Sequence, residues 1–141
     1  MNRHFVISVV VIFVLTVAFG FVIHGLILGA EYQKLTPNFY RAPEDAHGYM
    51  AWMMLGNLMF ATGFTWIYRQ GRQDKPWVAQ GARFGAAVAL TFTIPTFLTY
   101  YAVQPTPTHV VVQQIVFGAI SLVVIGIVAA ALNRDGLPAR A

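Results

Sequence analysis

Apolar positions along this chain fall into four long runs, at about residues 5–29, 48–68, 77–103 and 109–132, without period-two alternation. The first run holds no Lys, Arg, Asp or Glu in 25 residues. A helix needs about 20 apolar residues to cross the hydrocarbon core of a bilayer. Backbone polar groups in lipid must be satisfied within their own segment, so runs of this length are read as helices. Their richness in Val, Ile and Phe would favour strands in water, but run length and the missing alternation override that preference. The predicted fold is all-α: an integral membrane bundle of four transmembrane helices, antiparallel in sequence, forming a single domain over residues 1–141. The connections are "AEYQKLTPNFYRAPEDAH" (30–47, the longest loop), "RQGRQDKP" and "QPTPT". Pro43, Glu44 and Asp45 suit the first turn of the second span. Thr108 can cap the fourth behind Pro107, and Gly136 stands just past its end.

Composition supports a chain dissolved in lipid. Hydrophobic residues make up 57% and charged residues 10%, against about 25% charged in soluble domains. The absence of cysteine excludes disulfides, thiolate metal sites, iron–sulfur clusters, c-type haem attachment and cysteine catalysis. The net charge of +4 does not point to nucleic acid, because the basic residues stand at the ends of apolar runs. Arg3, Arg69, Arg72, Lys75, Arg83, Arg134 and Arg140 would share one side of the membrane, and Lys34 and Arg41 the other. That imbalance places both termini in the cytoplasm, so the 30–47 and 104–108 loops face outward. The first run is too long for a signal peptide core and lacks a small-x-small cleavage site, so it is read as an uncleaved span.

Three histidines reach the same outer level. His24 lies 19 residues after Phe5, about 28 Å along a helix, while His47 and His109 open the second and fourth spans. Imidazoles with Glu31, Glu44 and Asp45 nearby can bind zinc, copper or iron. Glu31 shares the face of His24 if that helix continues. Met50, Met53 and Met54 beside His47 would suit Cu(I), and His24 with His47 could flank a haem b. Against this, histidine is tolerated at membrane interfaces and methionine fills irregular packing, and no H-E-x-x-H spacing is present.

The remaining polar groups suggest a second kind of site. Asn57, Thr96 and Gln113 are candidates for a small-molecule or quinone pocket opening outward. Each also has a structural role: Asn57 an amide bond to a neighbouring helix, and Thr91, Thr93, Thr96 and Thr99 support for a kink at Pro95. Of Gln113 and Gln114, at least one should face the bundle, because two amides in lipid are costly. Arg83 is read as snorkelling to the cytoplasmic headgroups. Gly25-x-x-x-Gly29, Gly81-x-x-x-Gly85 and Gly126-x-x-x-Ala130 would allow close helix approach. Trp52, Trp66, Trp77, Tyr68, Tyr100 and Tyr101 form an aromatic belt.

The segments "GFTWIYRQGR" (63–72), "PTFLTYYAVQP" (95–105) and "VVVQQIVFG" (110–118) resemble those of small uncharacterised bacterial four-helix inner-membrane proteins. "HGLIL" at 24–28 is similar to a step near the end of their first span. The resemblance implies a bacterial inner membrane and a four-helix arrangement, and supplies no chemistry. No phosphate-binding loop, dinucleotide glycine pattern or G-x-S-x-G is present, and Ser8 and Ser121 are the only serines. These absences point away from an enzyme. The expected function is therefore a non-enzymatic membrane protein, an accessory or scaffold subunit packing against other membrane subunits or itself. A metal- or haem-binding protein and a small-molecule carrier are the alternatives.

Overall fold

The computed structural model describes residues 3–35, 41 and 43–134; the expectations placed on Gly136 and Arg140 lie outside them. The described residues form helices without strands. Helix α1 (Arg3–Gly20) continues through a wider π turn (Phe21–Ile27), and a short α2 (Gly29–Leu35) follows. Helix α3 spans Pro43–Gly71 and α4 spans Trp77–Val88, which passes through a second π turn (Ala89–Thr93) into α5 (Ile94–Val103). Helix α6 (Thr108–Leu132) completes the fold.

Among the described residues, three helices are long and apolar enough to cross a membrane: Arg3–Ile27, Trp77–Val103 and Thr108–Leu132. The second run forms a 29-residue helix, but Asn57, Gly56, Gly63, Thr62 and Thr65 dilute it, and it is not among those three.

Two other expectations are corrected. The 30–47 stretch is not a continuous loop. It contains α2, braced by the Lys34–Glu31 ion pair at 2.7 Å across one helical turn. Thr108 does not cap α6: the Pro107 carbonyl accepts from the Val110 and Val111 amides, and the Thr108 hydroxyl bonds Tyr101 Oη at 2.8 Å.

The tightest packing joins α4 to α6, backbone to backbone. A Cβ built on Gly85 would stand 2.7 Å from Val123 Cα, and one on Gly81 2.7 Å from Ile127 Cα. One built on Gly126 would strike the Gly81 carbonyl. Two of the three small-residue pairs in the sequence thus meet each other. Gly25 and Gly29 do not join helices: their nearest atoms belong to Phe21 and to the His24 carbonyl of the same segment.

Helix α1 lies across α6 and α3, and an aromatic stack ties α3 to α4. Phe64 and Tyr68 meet the Phe84 ring edge-on, with centroids 4.7 and 5.3 Å away. The larger apolar core, around Ile12, Phe64, Leu122 and Ile125, fills the end of the bundle that holds Arg3 and Arg134, here called the basic end. A polar clasp closes it. Asn133, 4% exposed, donates to Ser8 Oγ at 3.1 Å and to the Ala129 carbonyl at 2.8 Å. Arg72 donates to the Asn133 carbonyl at 2.5 Å. A cation at the C-terminal end of a helix also complements the helix dipole. At the opposite end only Ile23, Leu28 and Val110 form a buried cluster.

The glycine contact leaves no space for a side chain, whereas nothing lies within 4 Å of a Cβ on Gly56. Gly85→Ala should lower stability by about 1–3 kcal/mol through overpacking. Gly56→Ala should hold or raise it, since alanine favours helix over glycine by up to about 1 kcal/mol. Thermal unfolding of the two variants in one detergent checks the contrast. The Thr65 hydroxyl is fully buried with no hydrogen-bond partner among the described residues. Thr65→Val should therefore be neutral or stabilising in the same measurement, because an unmade bond is removed.

Candidate functional site

The end opposite the clasp opens into a cleft of about 490 Å³. Three local features shape it. In the first π turn the Leu28 amide reaches back five residues to the Ile23 carbonyl at 2.9 Å. Leu28, fully buried, adopts φ −97° and ψ −3° and ends that helix, and α2 restarts in a new direction with Tyr32 on it. The second π turn precedes Pro95, which has no amide proton to donate. There the Thr91 hydroxyl bonds the Ala87 carbonyl at 2.9 Å, and Thr93 is buried against Gly118. Such turns re-aim the residues that follow, here Phe97, Tyr100 and Tyr101. The third feature is the 104–107 turn, which brings Gln104 and Thr106 to the rim.

A chain of three side chains crosses the cleft. Gln114 Nε2 donates to the Tyr32 hydroxyl at 2.8 Å, and that hydroxyl bonds His24 Nδ1 at 2.7 Å. The His24 and Tyr32 rings stack within 15° of parallel, with centroids 5.9 Å apart. Phe97 tilts towards His24 at 6.4 Å. His24 is exposed to the cleft, while Gln114 is buried at 6% exposure. With Nδ1 engaged by Tyr32, Nε2 is the nitrogen that His24 can offer a ligand.

Among the described residues, no Asp, Glu, Lys or Arg lines the cleft. Charges lie beyond its rim, where Glu31 bonds Lys34 Nζ at 2.7 Å and His109 Nε2 at 3.4 Å. The Lys34 and His109 hydrogen bonds hold the Glu31 carboxyl below the ordinary glutamate pKa.

The sequence candidates are dispersed. His24 lies in the cleft, His109 pairs with Glu31, and His47 is exposed on α3. Among the described residues no group of three or more His, Asp or Glu side chains is placed to hold a metal ion. Glu31 was expected to share the face of His24; the break at Leu28 turns it to His109 instead. Asn57 donates to the Met53 carbonyl of its own helix at 2.8 Å rather than across to another. Thr96 borders a shallower groove with Pro95, Thr99 and Tyr100. Of the two glutamines it is Gln114, not Gln113, that lines the cleft. Tyr32, Phe97, Gln104 and Thr106 were not anticipated as site residues. For Tyr32, the only signal was its place in a short amphipathic piece that read as loop.

The architecture defines a helical protein with helices able to cross a membrane and an uncharged, aromatic-lined cleft at one end. The family model described as "Protein of unknown function (DUF1761)" matches residues 7–130, and the chain belongs to that family. No curated protein and no solved structure matches it.

Removing the Tyr32 hydroxyl breaks both bonds of the side-chain network. Tyr32→Phe should cost about 1–3 kcal/mol of stability, the penalty for leaving the buried Gln114 amide unpaired, and calorimetric unfolding measures it. Because the Glu31 pKa is depressed in the folded chain, its stabilisation is full above the ordinary glutamate value of 4.5 and is lost as pH falls through the lower folded value. Glu31→Gln should flatten that acid loss in a series of melts below pH 5, and should melt lower than the parent at pH 7, where the charged pairing it removes is fully formed.

Proposed function

We propose that this chain is an integral membrane protein of four spans that binds a small uncharged molecule in the cleft at its outer rim. The cleft carries the reading: its volume falls within the range of about 300–1,000 Å³ typical of small-molecule sites, and its lining is aromatic with a few convergent polar groups. Lipid as solvent is supported by how little of the apolar helices is covered. Within their most apolar windows, the three long helices are 22%, 11% and 33% buried. In water, surface of that kind would far exceed the few hundred Å² that monomers normally expose. Helix α3 is taken as the fourth span because it runs antiparallel to α1 over the same depth, with Arg69 5.6 Å from the Phe5 ring. Arg3, Arg69, Arg72 and Arg134 then share the cytoplasmic side, and the cleft faces outward. The sequence resemblance gives a bacterial inner membrane as the setting.

One observation favours a second reading, assembly with another membrane subunit. Along α3, Trp52, Met53 and Met59 are 70%, 51% and 68% exposed. Size measurement after mild detergent extraction tests it: a lone monomer removes that reading.

Topology and binding are tested separately. The natural chain has no cysteine, so K34C and D74C give unique labels. An impermeant maleimide should label K34C in intact cells and D74C only after permeabilisation. For binding, native mass spectrometry of the purified chain should show a retained small molecule that Gln104→Trp, which places an indole in the cleft, displaces. An adduct unchanged by that variant would refute the site.

A further inference from the structure

The chemistry of the cleft narrows the ligand to one class. This inference rests on the reading of the cleft as a small-molecule site. Among the described residues, the lining has no formal charge apart from what His24 can carry. Beyond the rim, Lys34 is engaged by Glu31 at 2.7 Å. A phosphate or carboxylate head would therefore be desolvated there without a counter-charge, which is costly. Several hydrogen-bonding groups converge nonetheless: His24 Nε2, the Gln104 amide and the Thr106 hydroxyl, set among Tyr32, Phe97 and Tyr100. When the Tyr32 hydroxyl donates to His24 Nδ1, Nε2 carries the ring proton and faces a ligand as a donor. Flat aromatic walls with donors at separate points suit a planar ring bearing more than one carbonyl.

The cleft also has an apolar continuation. Tyr100 belongs both to it and to the groove of about 320 Å³ along Pro95, Thr96 and Thr99. Of its lining residues, Pro95, Thr99 and Tyr100 are exposed on α5. A molecule with its head in the cleft can lay a hydrocarbon tail there without leaving lipid.

We infer that the cleft binds a lipid-soluble quinone, its ring among Tyr32, Phe97 and Tyr100, its carbonyls accepting from His24 Nε2 and the Gln104 amide, and its tail along the Pro95–Thr99 groove. Entry is lateral, from the bilayer.

Decylubiquinone titrated into the purified full chain in detergent tests this, with binding read by calorimetry and by the rise in melting temperature that a ligand of the folded state produces. One saturable site is expected. His24→Phe, which keeps a ring and removes its nitrogens, and Gln104→Leu should each raise the Kd at least tenfold. Thr62→Val, on α3 outside the cleft, should leave it unchanged. The melting temperature without ligand confirms that each variant is folded; if His24→Phe is not, Gln104→Leu decides. Failure to saturate, or equal affinity in folded Gln104→Leu, overturns the quinone assignment. If a phosphatidylglycerol or a sterol binds saturably and Gln104→Trp abolishes it, while decylubiquinone does not bind, the quinone assignment falls and the binding site stands. If none of these probes binds and no molecule is retained on purification, both fall.

Discussion

The backbone contact between α4 and α6 is the constraint on which the rest of the architecture depends. Gly81 and Gly85 meet Gly126 so closely that no side chain fits between them. In lipid there is little hydrophobic gain from pressing two apolar helices together, so close van der Waals approach has to supply the association. That approach occurs only where both surfaces lack a Cβ. The other helices take their places around this pair: α1 lies across α6, and α3 joins α4 through the Phe64, Tyr68 and Phe84 rings.

The cleft follows from where that contact sits. The glycines and the larger core draw the helices together at the basic end. Towards the other end two π turns and a proline shift the helices off their original register. A smaller apolar cluster remains, and the gap is edged by tyrosines and amides together with Phe97 and Val111. The same departures that weaken regular packing aim His24 and Phe97 at a common space.

Much of the fold was legible in the sequence because it rests on long-range composition. The all-α class and three helices with membrane-crossing length and apolarity follow from run length alone, and the Gly81 and Gly126 pairs were visible as motifs. The second run is less apolar than the run boundaries suggested, because Asn57 and its glycines and threonines count against it. The cleft was less legible. Its assembly depends on the phase of the helices past the π turns, which shifts every later residue by a fraction of a turn. That phase, with the break at Leu28, separates Glu31 from His24, while the rotation of α6 about its own axis decides between Gln113 and Gln114. Asn57 satisfied itself locally, as Asn commonly does. Tyr32 is brought to Gln114 across 82 positions of sequence, a relation no local pattern encodes.

The clasp at Asn133 bears on how the chain comes together as it is made. Arg72 reaches a carbonyl 61 positions further along, and Ser8 meets an amide 125 positions away. Synthesis runs from the N-terminus, so Ser8 and Arg72 emerge long before the group they share. Until α6 is made, the polar clasp at that end cannot close, although Arg69 already reaches the Phe5 ring there. The last helix therefore completes the basic end: its arrival supplies the group that Ser8 and Arg72 share.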